Sequence, residues 1–437
     1  MVGKAMRKIT YTILLLGFTL FLSGCGQKES VEPVLTPTPV AGVTVVPKQE
    51  PTIVPTVLPT ATFTPTPEPE PTVTLTPTPE PTATSTPTPT PKPSVTLTMV
   101  GDVLLHTKIH TYSKQEDGSY NYDTIFANLT EEISAADLAL VNQEVLIGGK
   151  GLGISGYPSF NAPEEAGDAL VRAGFDVVLH GTNHALDKKE NGVRNTLKFW
   201  EGNYPEIEVL GIHDSAEDQD KIYVTEVNGI RIAILNYTYG TNGIAMPENM
   251  PYAVDMLEET AVKEDIRQAK EQADFVIVCP HWGTEYRLTP DKNQKKWTNI
   301  FLEAGVDLVL GTHPHVIEPV EVFTREDGGG QMTVFYSIGN FVNWTAGKGE
   351  GVSNRMVGGM PHITIELDET GNACIADFSI TAVVCHVEKK MNGITVFPLS
   401  EYTEELAAQN AMISQDPAFS LEYCTNLCNE VWGDLWK

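Results

Sequence analysis

Short apolar runs punctuate the chain from about residue 94 onward: "VTLTMVG" (95–101), "DLALVN" (137–142), "FDVVLHG" (175–181), "IEVLG" (207–211), "IRIAILNY" (230–237), "DFVIVCP" (274–280) and "VDLVLG" (306–311). Runs this short, rich in Val, Ile and Leu and ended by Gly, Asn or Pro, predict strands buried on both faces. Longer segments with helical spacing lie between them, at 163–174, 187–200, 258–272 and 291–304. Two hairpins are also predicted. Asn228-Gly229 joins "IYVTEV" to "IRIAI", and a glycine-rich turn sits inside "VEVFTREDGGGQMTVFYSIG" (320–339). The sum is an α/β domain with a mixed sheet or two stacked sheets.

The pattern before residue 94 is different. Lys4, Arg7 and Lys8 precede the apolar "ILLLGFTLFL", and "LSGC" ends the segment at Cys25. A basic start, a short apolar centre and small residues predict a secretory signal over 1–24. "LSGC" resembles a bacterial lipobox, which implies lipidation of Cys25 and anchoring to the outer face of the cell membrane without a span. Residues 25–93 alternate proline with Thr, Glu and Val, as in "TPTPEPEPTVTLTPTPEP". Such a stretch cannot build a core and predicts a disordered Pro/Thr-rich stalk. At ~3.1 Å per residue it reaches on the order of 200 Å when fully extended.

Charge narrows the partners. The formal net charge is −28, and removal of 1–24, which carries three cations and no anion, takes it to −31. Nucleic acid is excluded, because a phosphate backbone needs Lys and Arg. An anionic substrate stays open if bound cations reverse the local potential. Beyond Cys25 there are five cysteines, at 279, 374, 385, 424 and 428. Their odd number and wide spacing do not read as a disulfide framework, and Cys279 within "FVIVCP" reads as a small buried hydrophobe.

Five of the apolar runs end in metal-ligand chemistry. "TMVGD" ends on Asp102, "LALVNQE" on Asn142 and Glu144, "VVLHGTNHALD" on Asn183 and His184, "VIVCPHWG" on His281, and "LVLGTHPH" on His313 and His315. Imidazole with carboxylate and amide oxygen suits Zn, Mn or Fe as divalent ions. Pro314 has a fixed φ and is expected to hold His313 extended, giving the two imidazoles a set spacing. His110 and His180 read as hydrogen-bonded structural residues. Glu285 is either a partner that orients His281 or a surface carboxylate.

The order "GDVLLH … NQE … NHALD … HWGTEY … GTHPHVIEPVE … YSIGNFV" resembles the CapA family of poly-γ-glutamate capsule synthesis proteins over roughly 95–385. That resemblance implies a fold related to calcineurin-like metallophosphoesterases, a double β-sandwich flanked by helices (αββα). It implies Asp102 and His315 on a first metal, Glu144 as a bridge, and Asn183, His281 and His313 on a second. His184 would assist the leaving group without binding metal, and Asn340 would line the pocket. One departure stands out: Leu104 occupies the place of the histidine in the Asp-x-His signature. Either His106 reaches in or the first ion lacks a protein ligand, so the centre has one metal or two.

The expected organisation is a signal (1–24), a lipidated Cys25 and linker (25–93), a CapA-like domain (94–395) and a helical extension (396–437). Three functions follow. The first is capsule or envelope polymer synthesis or anchoring beside the capsule machinery, with a metal-dependent hydrolase centre. The others are a phosphodiesterase or phosphatase on another envelope substrate, and a non-catalytic surface binding module.

Overall fold

The computed structural model describes residues 92–436, apart from 327, 391 and 392. The expected signal, Cys25 and nearly all of the stalk lie outside the described residues. β1 (Ser94–Val103), β2 (Leu138–Asn142), β3 (Val177–Leu179) and β4 (Glu208–Leu210) run parallel to one another. A second sheet follows, with β5 (Val224–Val227), β6 (Ile230–Thr238), β7 (Phe275–His281), β8 (Leu308–Leu310), β9 (Val320–Thr324) and β10 (Gln331–Phe335) in the order β5-β6-β7-β8-β10-β9. The chain then returns to the first sheet through β11 (Asn340–Val342), β12 (Val357–Leu367), β13 (Ala373–Val387) and β14 (Ile394–Pro398). That sheet is ordered β14-β13-β12-β1-β2-β3-β4, and β11 pairs with β1.

Strand periodicity explains the layering. On β6, Ile230, Ile232 and Ile234 enter a core shared with β1 and β2, while Ala233, Leu235 and Tyr237 face the other way. On β7, Phe275, Ile277 and Cys279 point inward and Val276 and Val278 outward. Successive side chains leave opposite faces, so an all-apolar strand must be covered twice. The inner cover is the first sheet. The outer cover is the helix pair Glu259–Gln272 and Lys292–Ala304, which contributes Val262, Ile266, Trp297 and Phe301. Each such buried side chain contributes about 1.5–3 kcal/mol. The second helix starts in a capping box built by Asp291 and Gln294 and stops at Gly305, where φ is 90°. Helices Glu164–Ala173 and Lys189–Asn203 bury Leu170, Phe199 and Trp200 in the core of the first sheet. Two stacked sheets with flanking helices are therefore present, as the periodicity and the family resemblance predict.

The expected hairpins are both present, β5-β6 across Asn228 and Gly229 (φ 51° and 85°) and β9-β10. The C-terminal residues pack into the core of the domain. The boundary at 395/396 falls inside β14, and Tyr402, Met412, Cys424, Cys428 and Trp432 belong to the main core. In this segment Glu404–Gln409 and Leu421–Trp432 are α-helical, with a 3-10 turn at Ala411–Ser414. The indole of Trp432 donates to the Glu318 carbonyl at 3.0 Å. Cys279, Cys385, Cys424 and Cys428 are buried, Cys374 is exposed, and all five are free thiols. Among the described residues no helix is long and apolar enough to cross a membrane.

Candidate metal centre

The carboxyl ends of β1, β2 and β3 in one sheet, and of β7 and β8 in the other, bring the predicted residues into one place. Close backbone contact is required there. A Cβ on Gly101 would stand 1.9 Å from the Gly339 carbonyl oxygen, and one on Gly311 would stand 2.2 Å from that of Tyr336. Only glycine permits these approaches.

Glu144 is at the middle. Its Oε1 lies 3.7 Å from His281 Nε2, 3.8 Å from His315 Nε2 and 4.0 Å from His184 Nε2. Glu144, His313 and His315 each offer one ligand atom, and these lie within 4.8 Å of one another. Both Glu144 oxygens and His313 Nδ1 are buried without a hydrogen-bond partner. Orphaned buried acceptors are costly in a dry protein, and a cation among them removes the cost. The donor set fits a borderline divalent ion.

His281 faces the Asn183 amide oxygen through Nε2 (3.1 Å) and Thr312 Oγ1 through Nδ1 (3.0 Å). Thr312 therefore orients His281, whereas Glu285 is an exposed carboxylate. His315 Nδ1 lies 2.9 Å from Asp102 Oδ2 and 3.1 Å from Asn340 Oδ1. Asn142 donates to the other Asp102 oxygen at 2.8 Å. Asp102 thus has both oxygens engaged and stands behind His315, leaving His315 Nε2 to face Glu144. Asn340 also donates to the carbonyls of His315 and Arg355, so it braces the loop. His184 Nδ1 is 2.7 Å from Asp187 Oδ2, and its ring packs on Phe160 at 4.6 Å. His106 packs on the same phenylalanine, and its Nε2 is buried without a partner. His110 and His180 meet Tyr122 and Trp200, as expected for structural residues.

The expected extended conformation at His313 is not found. His313 has φ 97° and His315 φ 59°, a region that costs non-glycine residues about 1–3 kcal/mol each. Flanking bonds hold the strained loop. Thr312 N donates to the Pro280 carbonyl, Trp282 N to that of Thr312, and Tyr286 N to that of Pro314.

Burial sets the protonation. It pushes His281 and His313 well below the usual imidazole range, so both are neutral and have lone pairs to give. Burial pushes the Glu144 carboxyl up. Burial would also lower His315, but the carboxylates of Glu144 and Asp102 raise it to about 9. A cation bound among these groups would compete with protons on Glu144 and His315. His106 is lowered to about 3, first by burial and then by neighbouring cations that include His315 and Arg355.

Asp187, Thr312, Asn242 and Phe160 were not singled out by sequence reasoning. Only Asp187 left a signal, three residues after His184 within "NHALD". Asn242 contacts both Asn183 and His184 at 3.4 Å.

The profile of the bacterial capsule synthesis protein family, PGA_cap, matches residues 96–345. The capsule biosynthesis protein CapA of Bacillus anthracis is 30% identical over 269 residues, covering 58% of this chain and 61% of that one. The PGA biosynthesis protein CapA of Bacillus subtilis is 35% identical over 188 residues, covering 42% and 47%. This chain thus spans less than two thirds of either relative. Among solved structures, a 5'-nucleotidase precursor from Thermus thermophilus aligns with a TM-score of 0.42 and 14% identity, covering 67% of this chain and 54% of that one. With more than half of its length matched, the chain belongs to the bacterial capsule synthesis protein family.

Proposed function

We propose that the chain is a lipid-anchored, extracytoplasmic protein that processes or anchors an anionic envelope polymer of the poly-γ-glutamate type, using a divalent-metal hydrolase centre at the strand ends. The observation that carries the metal reading is Glu144, whose two oxygens are buried and unpartnered among three imidazoles. Glu144, Asn183, His281, His313 and His315 would hold one or two ions of Mn, Zn or Fe, with Asp102 fixing the tautomer and angle of His315. Bound ions would polarise a phosphoryl or carbonyl oxygen and stabilise the charge that develops on it. His184, held by Asp187 and shielded by Phe160, would deliver a proton to the leaving group. The basic, apolar and "LSGC" segments support the anchor, and the family supports the envelope role.

Metal analysis of the purified full chain is expected to give one or two equivalents of a divalent ion, with turnover of γ-linked glutamate oligomers. A preparation lacking a stoichiometric ion overturns the centre. Deletion of the gene with surface polymer unchanged overturns the envelope role. The second reading, phosphodiester hydrolysis, is favoured by the His184–Asp187 pair, and its assay is cleavage of bis-p-nitrophenyl phosphate.

A further inference from the structure

Four large apolar or aromatic side chains are notably exposed among the described residues, and three are tyrosines beside this centre: Tyr157 (74%), Tyr239 (41%) and Tyr286 (43%). Tyr239 packs on His313 with ring centroids 4.6 Å apart. Tyr157 packs on Phe160, which touches both His106 and His184. Tyr286 lies 6.0 Å from His315. The Tyr286 ring carries a cation, because the guanidinium carbon of Arg355 is 3.6 Å from its centroid.

Arg355 has an unusual set of contacts for this acidic chain. Arg172, Arg231, Arg267 and Arg325 each pair with a carboxylate and Arg194 and Arg287 are exposed, whereas Arg355 is half-buried and has no acidic partner among the described residues. One Nη donates to Thr345 Oγ1 at 3.1 Å, and Nε is buried without a partner. A guanidinium has five N–H donors in a fixed fork, so most of its capacity is unspent. Its position is fixed from two sides. The Arg355 carbonyl accepts from Asn340, the same amide that braces His315, and Tyr286 is tied to Pro314 through its backbone N–H. Ring and backbone thus hold an unpaired cation against Tyr286, whose ring lies 6.0 Å from His315.

We propose that Arg355, clasped by Tyr286, is the docking point for an oxyanion on the substrate, with Tyr239 and Tyr157 continuing the rim as aromatic platforms. This rests on the reading of the centre as a substrate site. A planar fork binds a carboxylate or a phosphate with two parallel hydrogen bonds, and stacking on an aromatic ring keeps it pre-organised. The substrate class is a chain bearing an anionic group next to the bond presented to Glu144 and His184.

Binding is measured on the full chain, in EDTA and with Mn²⁺, using a γ-linked glutamate pentamer, its fully methyl-esterified form and a glycerol phosphate trimer. The wild type is expected to prefer at least one anionic probe to the neutral ester by about tenfold or more, the range of a charged hydrogen bond. Arg355→Gln should remove that preference while leaving ester affinity within about twofold, a range too small for a lost charged hydrogen bond. Arg355→Lys keeps charge without the fork and should recover part of it. The probe that responds identifies the oxyanion as carboxylate or phosphate. Equal wild-type affinity for anionic and neutral probes overturns the proposal, and so does an Arg355→Gln loss that falls equally on the ester. The EDTA arm separates this from the metal reading, since a chain that binds no metal still shows the arginine's selectivity.

Discussion

The two sheets contribute different chemistry to the centre. The first supplies oxygen donors and their supports, Asp102, Asn142, Glu144 and Asn183, from the ends of β1, β2 and β3. The second supplies imidazoles, His281, His313 and His315, from β7 and β8. Neither wall is a site alone. Closing the sandwich is therefore what brings Glu144 Oε1 to 3.7 Å from His281, and stability and site assembly are the same event. Two clasps hold the walls together. On one flank Trp432 bonds the Glu318 carbonyl beyond β8 and packs against Gly359 of β12, where a Cβ would meet its ring at 2.7 Å. On the other, Asp255 links the Gly211 carbonyl after β4 to Thr238 N of β6, and its carboxylate lies 2.7 Å from His213 Nε2.

The contrast is broken most severely by removing one wall's central donor. Glu144→Gln or His281→Ala should lower divalent-ion affinity by more than about a hundredfold, beyond the loss of an outer partner. The two together should cost little more than either alone, because they act as a unit; metal content after dialysis reads both. Cutting a clasp comes next. Trp432→Ala should destabilise by about 3–5 kcal/mol in denaturant titration, with the metal affinity of the folded fraction changing less.

The other clasp depends on pH. Burial alone would lower His213, but Asp218 and Asp255 raise it to about 9. Because the folded value lies above the unfolded one of 6.5, the stabilisation is complete below about pH 6.5 and is lost as pH rises through about 9. His213→Gln should cost up to about 3 kcal/mol more at pH 6 than at pH 10; thermal unfolding at the two pH values tests it. The mildest change sharpens the division of labour. Asp102→Asn should weaken metal binding by roughly 10–100-fold, since the residue acts through His315. A loss as large as that of Glu144→Gln would make Asp102 a direct ligand.

The walls were legible in the sequence for a physical reason. A strand buried on both faces is an unbroken apolar run, so a polar ligand type directly after it marks the point where the chain leaves the core. Asp102, Glu144, His281 and His313 follow that rule. What was not legible depends on contacts between distant loops. Thr312 becomes the partner of His281 only after β7 and β8 pair, and Tyr286 meets Arg355 across nearly seventy residues of chain. The proline rule failed at His313 because tertiary bonds on both sides of the loop outweigh a local preference. The core role of residues 396–437 was not legible because their core positions, such as Tyr402 and Cys424, are scattered among polar ones.

The unbonded cysteines have a practical consequence. Four of the five are sealed inside packed layers, and burial raises their thiols and keeps them unreactive, while Cys374 sits exposed at the start of β13. A maleimide dye applied to the native domain would therefore mark that one strand end among the described residues. A spectroscopic reporter can be fixed there, away from the histidines, with no cysteine removed from the folded domain.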